Sequence, residues 1–256
     1  MTDLMERPTV LVTGGATRLG FSFAYALATA GYDIALHYHQ SADGAQQAAD
    51  AIMALGATCK TFQFDLSGEH PEVLIESVLN EFSSLQVLIN NASAYEAATI
   101  AQTDMALLQQ QFSVNFFAPL LLISAFSNKC SKGNVINILD NKIAFQQNNY
   151  AAYLLSKKTL SEFTQLAAIE FAPHIRINGI APGVVMPGEE RTEDYIKWRV
   201  AGIPLKRQGR VDDLISAMNY LLNNEFVTGQ ILTVDGGEGV NHLGRHAEQF
   251  SDRDIL

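Results

Sequence analysis

Tyr153 and Lys157 stand four residues apart in "YAAYLLSK", a stretch that reads as helix. Residues at that spacing share one helix face. A free phenol titrates near 10 and is almost wholly neutral at pH 7. An ammonium beside it favours the phenolate and lowers that value. Such a pair can give or take a proton while a hydride moves. Thirteen residues before the tyrosine stands Asp140. Its presence is a puzzle. Hydride addition to a ketone builds negative charge on oxygen, which calls for hydrogen-bond donors. An ionised Asp can only accept.

A second stretch points to a phosphate. "TGGATRLG" (Thr13–Gly20) follows a predicted strand and opens a predicted helix. Gly14 allows the tight turn, and Gly20 allows close packing of helix on strand. Backbone N–H groups at the helix start then face a pyrophosphate. An acid ending the second strand would accept the ribose hydroxyls of NAD. Here that stretch is "LHYHQSAD", with no acid between Asp33 and Asp43. His39, Gln40 and Ser41 occupy the place of an adenosine 2′-phosphate, so NADPH is favoured. Asp65, ending the third strand, is placed to accept from the adenine amino group; the alternative is a cap of the following turn. His37 and His39 share one strand face, but no third ligand is near, so no metal is expected.

The frame for these residues is an alternation of short β-branched runs and helical patterns. Strands are predicted at Thr9–Gly14, Asp33–His39, Cys59–Asp65, Leu85–Ala92, Asn134–Leu139 and Ile175–Gly183. Helices are predicted at Gly20–Gly31, Ala42–Gly56, about His70–Phe82, about Thr103–Asn128 and Asn149–Phe171. Strict alternation means βαβ units and a doubly wound parallel sheet covered by helices on both faces. No linker or repeat interrupts it, so residues 1–256 read as a single α/β domain. The irregular stretch Val184–Gly209, which holds the only tryptophan, Trp198, reads as a substrate loop with its own short helix, or else as a surface excursion. A tail runs from Glu238 to Leu256.

Bulk properties exclude other classes. The chain has 256 residues, 48% of them hydrophobic, and a formal net charge of −10. So acidic a chain is a poor ligand for nucleic-acid phosphates. Cys59 and Cys130 provide neither a metal spacing nor a disulfide framework. The opening "MTDLMERPTV" lacks a signal-peptide layout. The longest apolar stretch, Phe116–Phe126, is about half the length that spans a bilayer. A cytoplasmic protein without a membrane partner is expected.

Taken together, these residues resemble the short-chain dehydrogenase/reductase family over almost the whole chain. Thr13–Gly20 resembles its phosphate-binding motif, with Arg18 where a glycine usually stands. "NNAS" (Asn90–Ser93) resembles its strand-four motif, and Asn115 in "SVNFFAP" matches the asparagine of its catalytic tetrad. Tyr153 and Lys157 match its Tyr and Lys. "APG" (Ala181–Gly183) matches the turn beside the nicotinamide, and "VTGQILTVDGG" (Val227–Gly237) the C-terminal strand motif. The resemblance implies a seven-stranded Rossmann-like sheet, a homotetramer, and a cofactor site that includes Gly14, Thr17, Arg18, Leu19, Gly20, Leu66, Asn91, Ala92, Ser93, Pro182 and Gly183. Lys157 would hold the nicotinamide ribose, and Asn115 would support a water chain to the lysine.

The departure is Asp140, where most members carry serine. That residue, Arg18, "LHYHQS" and Tyr95 resemble the pteridine reductase and dihydromonapterin reductase branch. The implied substrate is then a pterin, lying between the nicotinamide and Tyr95, with Arg18, Ser93, Asp140 and Tyr153 around it. A carboxylate suits such a substrate. Reducing C=N protonates nitrogen, and the reactive form is iminium-like. Charge beside the reacting carbon moves from positive toward neutral, and an anion stabilises the positive form. Three alternatives stay open: an ordinary carbonyl reductase; an enoyl-thioester reductase, whose wider Tyr–Lys spacing Tyr150 would satisfy; and a non-catalytic NADP(H)-sensing protein.

Overall fold

The structure is a computed structural model and describes residues 7–68, 70–188 and 191–241. Seven parallel strands form one sheet: β1 (Thr9–Val12), β2 (Asp33–Tyr38), β3 (Cys59–Gln63), β4 (Leu85–Asn90), β5 (Gly133–Ile138), β6 (Ile175–Pro182) and β7 (Ile231–Val234). Their order across the sheet is β3-β2-β1-β4-β5-β6-β7. The chain therefore reverses direction at β1, which pairs with β2 on one side and β4 on the other. Ligands of open α/β sheets bind where the strand order reverses, beyond the strands' C-terminal ends. The seven-stranded parallel sheet that the resemblance implies is present.

Alternating strand residues feed two cores. Val10, Val12, Ile34, Leu36, Ile89 and Ile136 face α1 (Arg18–Thr29), α2 (Ala42–Met53) and α8 (Val211–Asn223). Leu11, Ala35, Leu88, Val135 and Ile177 face α3 (Val73–Leu79), α5 (Ala118–Lys129) and α6 (Ala151–Phe171). This is the period of two expected of a sheet covered on both faces. Helix α8 has no counterpart among the predicted elements, although Leu214, Met218 and Leu221 repeat at helical spacing and are buried.

The helix expected at about Thr103–Asn128 is interrupted. α4 (Met105–Phe112), capped by the Asp104 carboxylate, leads into a π-helical turn at Ser113–Phe117 and then α5. The run Met105–Lys129 is long and apolar enough, by length and composition, to cross a membrane. Leu122, Ile123 and Phe126, however, are wholly buried in the second core, against the sheet. The irregular stretch Val184–Gly209 holds α7 (Glu193–Gly202), capped by Thr192. Of the predicted tail, Glu238–Val240 form a short 3-10 turn, and residues 242–256 lie outside the described residues.

Candidate active site

β1 ends at Val12, and the glycine turn follows. Gly14 has φ +61, and a Cβ there would meet the Ala92 backbone at 3.1 Å. A Cβ on Gly20 would lie 2.0 Å from the Gly14 carbonyl oxygen, so only glycine fits. Arg18 also has a positive φ, 51°. This turn opens onto a cleft of about 610 Å³ lined by Gly14, Thr17, Arg18, Leu19, Gly20, His39, Gln40, Asp65, Leu66, Asn91, Ala92 and Ser93. Ser41 is not in that lining. It starts α2, and its hydroxyl makes no capping hydrogen bond. Asp65 caps the following turn and also borders the cleft. Its Oδ1 accepts from the Ser67 amide at 2.9 Å and hydroxyl at 2.6 Å. Those bonds from Ser67 hold its pKa below the usual carboxylate value.

His37, read only as half of a dismissed metal pair, supports this turn. Its Nδ1 accepts from the Gly14 amide at 3.0 Å, and its Nε2 lies 3.0 Å from the Phe64 carbonyl oxygen. Both ring nitrogens are used, which suits a neutral imidazole donating from Nε2. Among the described residues no group of three metal-ligating side chains gathers. Burial lowers the His37 pKa from 6.5 to about 4. The folded state therefore resists a proton that the unfolded chain accepts. The stability this provides is whole above pH 6.5 and is lost as pH falls toward 4; the displacement corresponds to roughly 3 kcal/mol. In urea titrations of the cofactor-free protein, the gap between wild type and His37→Asn should narrow across that window. A constant gap would show that His37 binds a proton as readily folded as unfolded.

A second cleft, about 560 Å³, shares Arg18, Leu19, Asn91 and Ser93 with the first and is lined by Tyr95, Asp140, Lys142, Tyr153, Lys157, Pro182 and Gly183, among others. A larger cavity of about 780 Å³ lies beside Ile203, Leu205 and Val240, and none of Asp140, Tyr153 or Lys157 lines it. Chemistry, not size, selects the second cleft.

Asp140 follows β5 and divides its two oxygens. Oδ1 accepts from the Lys142 amide at 2.8 Å, capping the 3-10 turn Asn141–Ala144. Oδ2 accepts from the Tyr153 hydroxyl at 2.7 Å. One carboxylate thus both caps the turn and accepts from Tyr153. Lys157 is buried, and its Nζ donates to the Ile138 carbonyl at 2.8 Å. Burial lowers its pKa to about 8. The expected lowering of the Tyr153 pKa by Lys157 does not occur here. Burial, then the charge and hydrogen bond of Asp140, raise it well above 10. The phenol therefore keeps its proton in this cleft.

Asn115 is wholly buried on the π-helical turn. Its Oδ1 accepts from the Ala94 amide (2.9 Å) and the Ser93 hydroxyl (3.0 Å), and its Nδ2 donates to the Ala94 carbonyl (2.9 Å) and Ser156 Oγ (3.0 Å). All four hydrogen-bonding positions of the amide are used. The side chain thereby shapes the Ser93–Ala94 wall.

Tyr95 lines the second cleft, with one face stacked on Tyr150 (centroids 4.6 Å, 17°) and an edge contact to Tyr153 (4.6 Å, 88°). Lys142 Nζ donates to the Tyr95 hydroxyl at 2.8 Å and lies 4.6 Å from the Tyr150 ring centroid. Lys142 and Tyr150 thus fix the aromatic wall, a role sequence reasoning missed. The Arg18 guanidinium donates to the Met186 carbonyl, tying the glycine turn to the Val184–Gly209 stretch.

This is the arrangement of a proton donor beside a nucleotide cleft. A family model described as enoyl-(acyl carrier protein) reductase matches residues 14–238. The chain belongs to the short-chain dehydrogenase/reductase family. Members of this family are NAD(P)-dependent oxidoreductases. The chain is 28% identical over 250 residues to a dihydromonapterin reductase of Enterobacter sp. (strain 638), covering 94% of this chain and 100% of the relative. It is 29% identical over 287 residues to pteridine reductase 1 of Leishmania tarentolae, covering 93% and 98%. The crystal structure of FolM alternative dihydrofolate reductase 1 from Brucella canis, complexed with NADP, matches with a TM-score of 0.85 and 30% identity, covering 96% of this chain and 98% of that one.

Proposed function

We propose that this family member is an NADPH-dependent reductase that takes dihydropterins to tetrahydropterins. The observation that carries the reading is the 2.7 Å hydrogen bond from Tyr153 to Asp140. A carboxylate at this position repels a nascent alkoxide but stabilises an iminium-like pterin, and the tyrosine above it retains the proton that a ring nitrogen needs. The similarity to dihydromonapterin and pteridine reductases supports the same substrate class.

NADPH suits the residues of the first cleft. Gly14 and Gly20 let the turn pack tightly against Ala92 and on itself beneath the cleft, and the end of β2, at His39 and Gln40, supplies no acid of its own against a 2′-phosphate, the neighbouring Asp65 coming from the end of β3. When bound, the cofactor supplies the hydride. Lys157, beside Tyr153, would hold the ribose; Ser93 and Arg18, shared by both clefts, would touch cofactor and pterin together. We expect kcat/KM with NADPH to exceed that with NADH at least about tenfold, roughly 1.4 kcal/mol. Equal use of both would remove the role of His39 and Gln40.

Tyr95, in the lining of the second cleft, would pack against the pterin ring. Tyr95→Ala should mainly raise the pterin KM, by an amount equivalent to about 0.5–1.5 kcal/mol beyond buried area. An unchanged KM in the folded variant would put Tyr95 outside the substrate site.

A second reading, an enoyl-thioester reductase, draws on the family model and on Tyr150, seven residues before Lys157. Tyr150 Oη, however, lies 3.4 Å from the Arg191 guanidinium, and it is Tyr153 that bonds Asp140. NADPH oxidation measured with dihydromonapterin, dihydrobiopterin, dihydrofolate, a simple ketone and an enoyl thioester separates the readings. Turnover of the thioester alone would overturn the proposal, and cofactor binding without any turnover would favour a sensor. The reading includes a cytoplasmic location and a homotetramer, and exposed apolar side chains such as Phe117, Leu166 and Ile169 support association.

A further inference from the structure

Asp140 and Asn141 are consecutive, and their side chains are held by different parts of the molecule. Asp140 bonds Tyr153, whereas Asn141 Nδ2 donates to Glu238 Oε2 at 2.9 Å and to Asp235 Oδ2 at 3.3 Å. Glu238 lies in the 3-10 turn after β7, is 3% exposed, and accepts with its other oxygen from Arg199 Nη2 at 2.6 Å. Arg199 is on α7, is itself buried, and lines the second cleft together with Tyr195 of the same helix. Asp235 is fixed beneath this cluster by the Gly237 amide at 2.9 Å and the Gly239 amide at 2.5 Å.

A buried ion pair is a weak reason for stability, because an apolar pair of the same shape often does as well. What it does supply is a fixed geometry between elements distant in sequence. We infer that Glu238 is a positioning residue that couples the substrate helix to the catalytic loop, one carboxylate oxygen holding Arg199 and the other holding Asn141. Anchoring Asn141 fixes the backbone on which the Asp140 carboxylate is aimed at Tyr153. Anchoring Arg199 seats α7 against the substrate cleft. The Glu238 carboxylate, with Asp235 beside it on Asn141, thus sets the distance between the proton-donating pair and the wall that confines the substrate.

The coupling makes the two arms separable. Asn141→Ser releases only the catalytic loop. It should lower kcat about tenfold while leaving the dihydropterin KM within about twofold. Arg199→Lys keeps the charge but loses the planar fork, which is not a conservative change at a buried pair. It should raise KM at least about fivefold with a small change in kcat. Glu238→Gln should show both effects, with NADPH affinity unchanged. Trp198, the only tryptophan of the chain, is buried beside Arg199 on α7 and reports the seating of that helix without any substrate. Its emission should shift to the red and its acrylamide quenching increase in Arg199→Lys and Glu238→Gln, but not in Asn141→Ser. If Glu238→Gln does not fold, the two outer variants carry the test.

The inference rests on the assignment of Asp140 as the partner of the proton donor. Should the wild type reduce no dihydropterin, that assignment to pterin chemistry fails. The coupling is then judged on whichever ketone or thioester the wild type does reduce, and on Trp198. Lowered melting temperatures with unchanged kcat, KM and Trp198 signals in the folded variants would overturn the inference, as would identical kinetic changes in both outer variants.

Discussion

Tyr153→Phe should lower kcat for a dihydropterin by about 10²–10⁴-fold, the range of a general acid. The substitution is nearly silent structurally, because the ring keeps its edge contact with Tyr95 and its buried seat on α6. Only the hydroxyl and its bond to Asp140 go. The pterin KM and the affinity for NADPH should therefore stay within a few-fold of wild type, measured by stopped-flow turnover and cofactor fluorescence. The pH profile adds a sign. In the free enzyme Lys157 is charged below about 8 and neutral above it. Because kcat/KM for NADPH reports the cofactor-free enzyme, it should fall as pH rises through that value, and the residual activity of Tyr153→Phe should keep the same alkaline limb. Loss of the limb together with the hydroxyl would assign the titration to Tyr153 instead. A near-normal kcat would move the proton source to another residue.

The parts of this site that were legible in the sequence are those whose neighbours are local or whose pattern is periodic. Tyr153 and Lys157 lie one helical turn apart, so their shared face follows from helix geometry alone. Gly14 and Gly20 declare a turn whose backbone is left-handed at Gly14, φ +61, and too close at Gly20 for any Cβ. What stayed hidden depends on adjacency across the sheet. His37 looked like a stray strand histidine until β2 was seen between β1 and β3, which brings Gly14 and the Phe64 carbonyl to its two nitrogens. The π-helical turn at Ser113–Phe117 was invisible to a 3.6-residue period, yet it is what turns Asn115 inward onto Ala94, Ser93 and Ser156. π-helical turns inside α-helices often mark functional sites, and this one builds the wall of the second cleft. Glu238 carried no signal either. Its partners Arg199 and Asn141 are 39 and 97 residues away in the chain.

Asp140→Asn should keep the fold and NADPH binding while dihydropterin turnover falls by about 10²–10⁴-fold. The amide oxygen can still accept from the Lys142 amide, so the 3-10 turn keeps its cap. What disappears is the negative charge facing the reacting ring and the acceptor that holds the Tyr153 proton. Asp140→Ser tests the same point from the other side. A serine hydroxyl is the donor a ketone's oxyanion requires, but it is neutral and cannot stabilise an iminium. Asp140→Ser should therefore leave pterin reduction as low as Asp140→Asn does, and raise the reduction of a simple ketone above that of the wild type. The two substrate classes then respond to one substitution with opposite signs, which no loss of stability can mimic. If Asp140 serves only as a cap, Asp140→Ser should cost about 0.5–2 kcal/mol of stability and leave activity per folded molecule unchanged for both classes. The decisive measurement is kcat for a dihydropterin and for a ketone, with the melting temperature of each variant beside it. Full pterin activity in folded Asp140→Asn would mean that the carboxylate has no part in the proton transfer, and the pterin reading would then rest on sequence similarity alone.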